Sequence, residues 1–205
     1  MTLLDYMEAY QILEKYGIRS IESDYVKSAD EAVEFSKDRN IVLKVISQNA
    51  MHKSKSGLVA LDLNSPEKIK RAYADLEKKA QEFAPFKILA QVMAKKGIEI
   101  IIGGNTDPQF GKIILAGMGG IYVETFKDVE MKLCPITKGD CENMLNDLKS
   151  GKVITHNGAS TKMLVGLLMK VSKMLMENKN ILELDLNPVM VKEDSYEVVD
   201  IRIMV

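Results

Sequence analysis

The chain has 205 residues, of which 46% are hydrophobic, so it can form one domain or two small lobes with a real core. Its formal net charge is −1 at pH 7, and a chain without a basic excess is not expected to bind nucleic acid. The N-terminus carries acidic residues instead of a positively charged signal sequence, and no apolar run is long enough to cross a bilayer. We therefore expect a cytoplasmic protein without a membrane partner.

Helical spacing and capping residues predict the elements of the first forty residues. Apolar residues from Leu3 to Leu13 favour a first helix that ends at Gly17. A short strand is expected over residues 18–26. Ser28, followed three residues later by Glu31, forms the sequence signature of a helix N-terminus and predicts a second helix.

Residues 41–63 (IVLKVISQNAMHKSKSGLVALDL) combine a buried strand, a cationic loop and a second strand. Lys44 lies in the middle of the apolar run, where a buried ammonium group needs an anion. The loop carries His52, Lys53 and Lys55 and closes at Gly57, which is a composition suited to binding phosphate. The alternative is an ordinary hairpin with solvated lysines.

The middle of the chain predicts a third helix and several strands. Asn64 or Ser65, with Pro66 and Glu67, begins the helix, and Pro85 marks a break before a strand over 88–93. Strands over 98–103 and 112–116 flank the turn-rich sequence NTDPQFG and predict a hairpin, which is followed by the glycine-rich segment 117–120. Apolar spacing then favours helices over 140–148 and 160–177. Cys134 and Cys141 lack metal-site spacing and are expected to be free thiols.

The last 25 residues predict two paired strands that carry carboxylates. Glu183, Asp185 and Asn187 alternate along the first strand and so share one face, and Asp200 is expected in the second strand. Oxygen ligands of this kind suit Mg²⁺, which proteins often share with nucleotide phosphates. The alternative is the polar face of an exposed hairpin.

The ordered motifs LKVISQNAMHKSKSG, GIEIIIGGNTDPQFG, GMGGIYVE, ELDLNPVMV and VVDIRI resemble those of the ATP-grasp (beta) subunit of ADP-forming acetyl-CoA synthetases, relatives of succinyl-CoA synthetase. The resemblance covers nearly the whole chain. It implies an α+β ATP-grasp fold in which two α+β lobes sandwich ATP or ADP. We expect residues 1–86 to form lobe 1 with the histidine loop, and residues 87–205 to form lobe 2 with the inter-lobe strand and the Mg²⁺-binding hairpin.

The resemblance also implies a reaction and a role for individual residues. Acyl-CoA, phosphate and ADP would give a free acid, CoA and ATP, with CoA bound by a separate alpha subunit in a hetero-oligomer. The implied catalytic residues are His52 as the phosphoryl carrier, Lys44 on the nucleotide phosphates, and Asp185 as the carboxylate that orients the histidine. The implied nucleotide contacts are Lys44, Gln91, Val92, Met93 and Glu99, and the implied Mg²⁺ ligands are Asn187 and Asp200.

Two segments depart from the family pattern. Where the family has HKSDVGGV, this chain has HKSKSGLV, so Lys55 replaces an acid and Leu58 replaces a glycine. The segment VITHNGAST before the last long helix replaces a pattern that usually contains an Arg-Gly pair, and its His156 is expected to be a solvated loop residue. These departures keep open a nucleotide-binding regulatory module without catalysis. A self-sufficient ligase that forms an acyl phosphate is a third alternative.

Overall fold

The computed structural model describes residues 1–50, 57–120, 128–156, 161–192 and 194–205, and it divides the chain into two compact units. The large unit contains Met1–Ser20, with helix α1 (Tyr6–Lys15), and Lys95–Val205. The small unit is Ile21–Ala94. The division differs from the expected boundary between residues 86 and 87.

The physical reason for this difference is backbone pairing that is distant in sequence. Leu3 forms a β-bridge with Met204, which ties the N-terminus to the large unit. The strand that follows Pro85 pairs with two strands of the small unit and belongs to its sheet. The division therefore falls after this strand, at Ala94, and α1 joins the C-terminal part of the chain.

The small unit packs two helices on one face of an antiparallel sheet. Its strands run in the order β1-β4-β2-β3 among the described residues. The elements are β1 (Ser23–Val26), α2 (Ala29–Ser36), β2 (Ile41–Ile46), β3 (Val59–Leu63), α3 (Pro66–Ala80) and β4 (Lys87–Val92).

Period-two alternation on β2 and helical spacing on α3 build the core of the small unit. Ile41, Leu43 and Val45 of β2 are buried in one cluster with the apolar face of α3, formed by Ile69, Tyr73, Leu76 and Ala80. The side chain of Ser65 caps α3 by accepting from the amide of Lys68. Ser28 caps α2 in the same way, while the carboxylate of Glu31 accepts from the amide of Lys27. The predicted starts of both helices are confirmed.

The large unit is built on an antiparallel sheet with the order β10-β8-β5-β6-β7, and β9 also pairs with β8. Its further elements are β5 (Ile98–Asp107), β6 (Gly111–Met118), β7 (Val129–Leu133), α4 (Lys138–Asp147), α5 (Gly151–His156), α6 (Thr161–Glu177), β8 (Glu183–Val191), β9 (Tyr196–Val198) and β10 (Ile201–Met204). Both units combine helices with antiparallel strands, which confirms the expected α+β class.

Helix α6 packs closely on one face of this sheet. A side-chain carbon added at Gly104 of β5 would lie only 2.8 Å from Cδ1 of Leu175, so glycine allows the helix to approach the strand. The predicted apolar side of the helix is buried: Leu164, Leu167, Leu168, Val171 and Leu175. Within the described ranges, no helix combines the length and the apolar character needed to cross a membrane. Both cysteines are free thiols, as expected.

The predicted hairpin of the large unit is confirmed, and its strands are longer than expected. β5 and β6 pair from Ile100 opposite Met118 to Asp107 opposite Gly111. The side chain of Asp107 accepts from the amides of Gln109 and Phe110 and so fixes the turn.

The strand expected over residues 18–26 covers only Ser23–Val26. It is shorter because Gly17, with φ +63°, ends the helical segment and the backbone of Ser20 forms a bridge with Val198 instead.

A buried aspartate joins the start of β7 to the turn between α4 and α5. Asp128 is 6% exposed, and its two carboxylate oxygens accept from the amides of Lys149 and Ser150, each at 2.8 Å. Burial alone would raise the pKa of Asp128, but the hydrogen bonds from Ser150 and Lys149 outweigh it and hold the pKa below the ordinary value.

Replacing Asp128 by Asn should destabilise the large unit near neutral pH and weaken its acid dependence. Because the folded-state pKa is depressed, the ionised carboxylate stabilises the fold above the unfolded-state pKa of about 3.9, and the stabilisation is lost as the pH falls through the folded-state pKa. The difference in the free energy of unfolding between the variant and the unaltered chain, measured in urea, should therefore be larger at neutral pH than at roughly pH 3. Asp75→Asn, on the exposed surface of α3, is the control. An equal loss of stability at both pH values would contradict this account.

Candidate functional site

Lys44 lies at the centre of the sheet of the small unit. It is opposite Leu89 of β4 and Val59 of β3, and its side chain is half-buried. Its neighbours Leu43 and Val45 point into the core beneath α2 and α3, so the side chain of Lys44 points to the other face of the sheet. The sheet thus holds the Cα of Lys44 so that its side chain extends from the face opposite α2 and α3.

The strand expected to meet adenine is β4, which runs beside β2. Gln91 is 1% exposed, and its Nε2 donates to Oγ of Ser23 on β1 at 2.9 Å. The amides of Val92 and Met93 donate to the carbonyl oxygens of Glu22 and Asn40, at 3.0 and 2.8 Å. Because both amides are already hydrogen-bonded, a backbone hydrogen bond from Val92 or Met93 to an adenine ring would use a carbonyl oxygen.

Glu99 and the glycine-rich segment form one local structure in the large unit. The amide of Gly119 donates to the carbonyl oxygen of Glu99 at 2.7 Å, and a side-chain carbon at Gly119 would lie 2.9 Å from the carbonyl atoms of Glu99. Gly120 has φ +65°, and a side-chain carbon there would lie 3.2 Å from Oε2 of Glu99. Glycine at both positions lets the backbone pass directly against Glu99.

The carboxylates of the last strands lie where alternation predicts. Glu183, Asp185 and Asn187 of β8 alternate with the buried Leu184 and Leu186, and so point to one face of the sheet. Asp185 lies opposite Gly103 of β5 on one side and Arg202 of β10 on the other. The shared face of these side chains agrees with the prediction.

Asp200 does not lie in a strand, which corrects the expectation. It occupies the connection between β9 and β10, because β8 pairs first with Tyr196–Val198 and then with Ile201–Met204. The amide of Asn187 donates to the carbonyl oxygen of Asp200 at 3.3 Å, so the two residues are neighbours although the connection interrupts the ladder.

Asn187 and Asp200 supply only oxygen ligands, which is the donor set that Mg²⁺ prefers. In the described parts of the chain, no three His, Cys, Asp or Glu side chains form a cluster that could hold a metal. A complete protein cage is not required, because Mg²⁺ usually binds one or two carboxylates and takes its other ligands from water and phosphate. The pair is therefore chemically compatible with a shared metal and nucleotide site.

His52, Lys53 and Lys55 lie outside the described residues, as do residues 121–127 and 157–160. The structure therefore places the two ends of the histidine loop but not the histidine. Gly57, with φ +93°, begins the described segment after the loop.

Leu58 lies where the resemblance leads us to expect a glycine, and its side chain is packed in the core of the small unit. Its side chain is 6% exposed and belongs to the hydrophobic cluster beneath the sheet. Its carbonyl oxygen accepts from the amide of Val45 at 2.9 Å, which continues the pairing of β2. Leu58 therefore contributes apolar contact to the sheet that carries Lys44.

Two features of the site were not found from the sequence. The contact of Gly119 and Gly120 with Glu99 joins segments about twenty residues apart, and no local pattern connects them. The hydrogen bond from Gln91 to Ser23 spans 68 residues. The only sequence signal for the first contact is the density of glycine in GMGG.

The fold of the chain is that of an ATP-grasp protein. The ATP-grasp domain family matches residues 1–205, and the chain belongs to this family.

The most informative relatives are ADP-forming acetate–CoA ligases. The chain is 36% identical to the beta subunit of acetate–CoA ligase II from Pyrococcus furiosus, over 96% of this chain and 89% of that protein. It is 34% identical to acetate–CoA ligase I from Archaeoglobus fulgidus, over 96% of this chain but only 30% of that longer protein. Acetyl-coenzyme A synthetase 1 from Ca. Korarchaeum cryptofilum, solved with coenzyme A and Ca-AMPCP, superposes with a TM-score of 0.91, at 34% identity over 99% of this chain and 93% of that one.

Replacing Gly119 by Ala should destabilise the large unit by about 1–3 kcal/mol, because the new methyl group would meet the backbone of Glu99. Gly166→Ala is the matched control. Gly166 lies in α6 with open space around the added carbon, so the same change should stabilise the protein by roughly 0.5–1 kcal/mol. Denaturant unfolding of both variants measures the difference. Equal effects at the two positions would show that the segment is not packed against Glu99.

Proposed function

We propose that this chain is the nucleotide-binding beta subunit of an ADP-forming acetyl-CoA synthetase. With a CoA-binding alpha subunit, it would convert acyl-CoA, ADP and phosphate into the free acid, CoA and ATP. The observation that carries the proposal is the match along almost the full length of a protein named as a beta subunit. A partner subunit follows from that name, and the assignment of CoA binding to it is part of the proposal.

The placement of charged side chains supports phosphoryl transfer. Lys44 is fixed on a central strand of the small unit, while Glu99, Asp185, Asn187 and Asp200 lie in one unit near the β8 and β5 strands. In such a reaction, the protein accelerates transfer mainly by positioning the phosphates and by offsetting their charge. Lys44 would contact the nucleotide phosphates, and the backbone of residues 91–93 would hold the base.

Asn187 and Asp200 would hold Mg²⁺. When bound, the ion supplies positive charge that offsets the negative charge of the phosphates. The two residues keep their relative position through the hydrogen bond between the amide of Asn187 and the carbonyl oxygen of Asp200.

His52 would carry the phosphoryl group between the partner subunit and ADP. A terminal phosphate oxygen of ADP attacks the phosphorus, the new P–O bond forms, and the P–N bond to His52 breaks. The bonding electron pair returns to the ring nitrogen, and a proton held on the other ring nitrogen throughout leaves a neutral imidazole, ready for another cycle. Asp185 would orient the ring through a hydrogen bond.

Replacing His52 by Ala should reduce ATP formation by about three orders of magnitude or more, because the covalent carrier is lost. The assay combines the chain with its CoA-binding subunit, acetyl-CoA, ADP and labelled phosphate. ADP binding, measured by calorimetry, should be retained. His156→Ala is the matched control and should keep full activity. If the unaltered chain bound nucleotide but formed no ATP, the alternative of a nucleotide-binding regulatory module, which Lys55 and Leu58 suggest, would be favoured.

Replacing Asp200 by Asn should raise the Mg²⁺ concentration needed for half-maximal activity by roughly tenfold, because a charged ligand becomes neutral. Glu183→Gln is the control, since Glu183 lies exposed at the start of β8 and should leave the Mg²⁺ requirement unchanged. A Mg²⁺ titration of ATP formation measures both. If both variants had the same Mg²⁺ requirement as the unaltered chain, Asp200 would not be a ligand.

A further inference from the structure

The sheet of the large unit has two chemically different faces. Residues directly opposite each other in antiparallel strands place their side chains on the same face. Ile102, Ile114 and Leu184 point to the face packed on α6 and are fully or almost fully buried. The residues that come directly before and after these three along each strand point to the other face.

Strand register arranges that other face into two neighbouring rows. One row crosses the sheet through Arg202, Asp185, Gly103, Leu115 and Met131. The next row crosses through Met204, Glu183, Asn105, Ile113 and Leu133. Each row is therefore polar on β8 and apolar on β6 and β7.

The apolar end of these rows forms a patch that we call the outer patch: Ile113, Leu115, Met131 and Leu133. Met131 is 60% exposed and Leu133 is 53% exposed, although both belong to a regular strand. Single exposed apolar residues are ordinary, but neighbouring ones on one sheet face, bordered by polar residues, are typical of a protein interface. Leu115 packs beside Gly103, since its Cδ2 would lie 3.6 Å from a side-chain carbon at Gly103.

The geometry points to the outer patch as the docking surface for the CoA-binding partner subunit, an inference that rests on the proposed function. The chain matches only 30% of the single-chain ligase of Archaeoglobus fulgidus but 89% of a separate beta subunit. In the two-subunit enzymes, a second chain must therefore supply the parts that the single-chain ligase contains and the beta subunit lacks. That second chain needs a surface of the beta subunit to bind to.

The outer patch is suited to this partner because one of its two rows, that of Leu115 and Met131, contains Asp185, the carboxylate proposed to orient His52. Neighbouring strands lie about 4.8 Å apart, so Leu115 is roughly 10 Å and Met131 roughly 14 Å from Asp185 across the sheet. A subunit seated on the apolar residues could extend a segment along the same row to Asp185. Such a segment is the part of the partner that would exchange the phosphoryl group.

The test uses the double variant Met131→Gln/Leu133→Gln and a matched control, Met169→Gln/Leu61→Gln. The control removes the same residue types at comparable exposure, 43% and 56%, on α6 and on β3. The probe is the CoA-binding subunit that supports ATP formation with this chain, and its dissociation constant is measured by calorimetry. We expect the outer-patch variant to bind at least about tenfold more weakly, and the control to bind like the unaltered chain.

Two further measurements separate the possible failures. ADP binding and thermal unfolding should be the same for all three proteins, which excludes misfolding as the cause. Unchanged affinity of the outer-patch variant would overturn the docking surface and leave the proposed function intact. If the unaltered chain bound no CoA-binding subunit, the proposed function itself would fail. A dimer of this chain that sedimentation shows to be split by the double variant would assign the patch to a second copy and also overturn the inference.

Discussion

Successive side chains of a strand point to opposite faces of its sheet, and this alternation decides which residues of the protein enter a core and which can meet a ligand. On β2, Leu43 and Val45 fill the core, and Lys44 between them points away from it. On β8, Leu184 and Leu186 are buried, and Asp185 between them is not. A shift of one residue in either strand would bury a charge and expose the core, so packing itself holds the functional groups in register.

The same constraint explains where each unit carries the residues proposed for the reaction. The small unit carries the cation and the strand proposed for the base, while the large unit carries the carboxylates and the amide proposed for the metal. Each unit has its own sheet and covering helices, so each can hold its groups rigidly. Leu58, where the sequence departs from the pattern expected of the family, is packed on the core side of the small unit and not on the face of Lys44.

Much of the fold could be predicted from the sequence because its signals are local. Ser65 and Pro66 mark the start of α3, and the alternation of Glu183, Asp185 and Asn187 marks one face of β8. The differences from expectation concern pairings between distant segments. The division between the units depends on the pairing of β4 with β1 and of Leu3 with Met204, and the position of Asp200 depends on β8 pairing with two successive strands. No pattern within a few residues reports such pairings.

The central claim is that His52 is a covalent phosphoryl carrier in a nucleotide-binding subunit. The most direct measurement incubates the chain with Mg²⁺ and ATP labelled in its γ-phosphate, and then maps the labelled peptide by mass spectrometry under alkaline conditions that preserve phosphohistidine. We expect label on His52 together with release of ADP, and loss of the label when unlabelled ADP is added. Label on Ser54 or Ser56, or bound nucleotide without any label on His52, would contradict it.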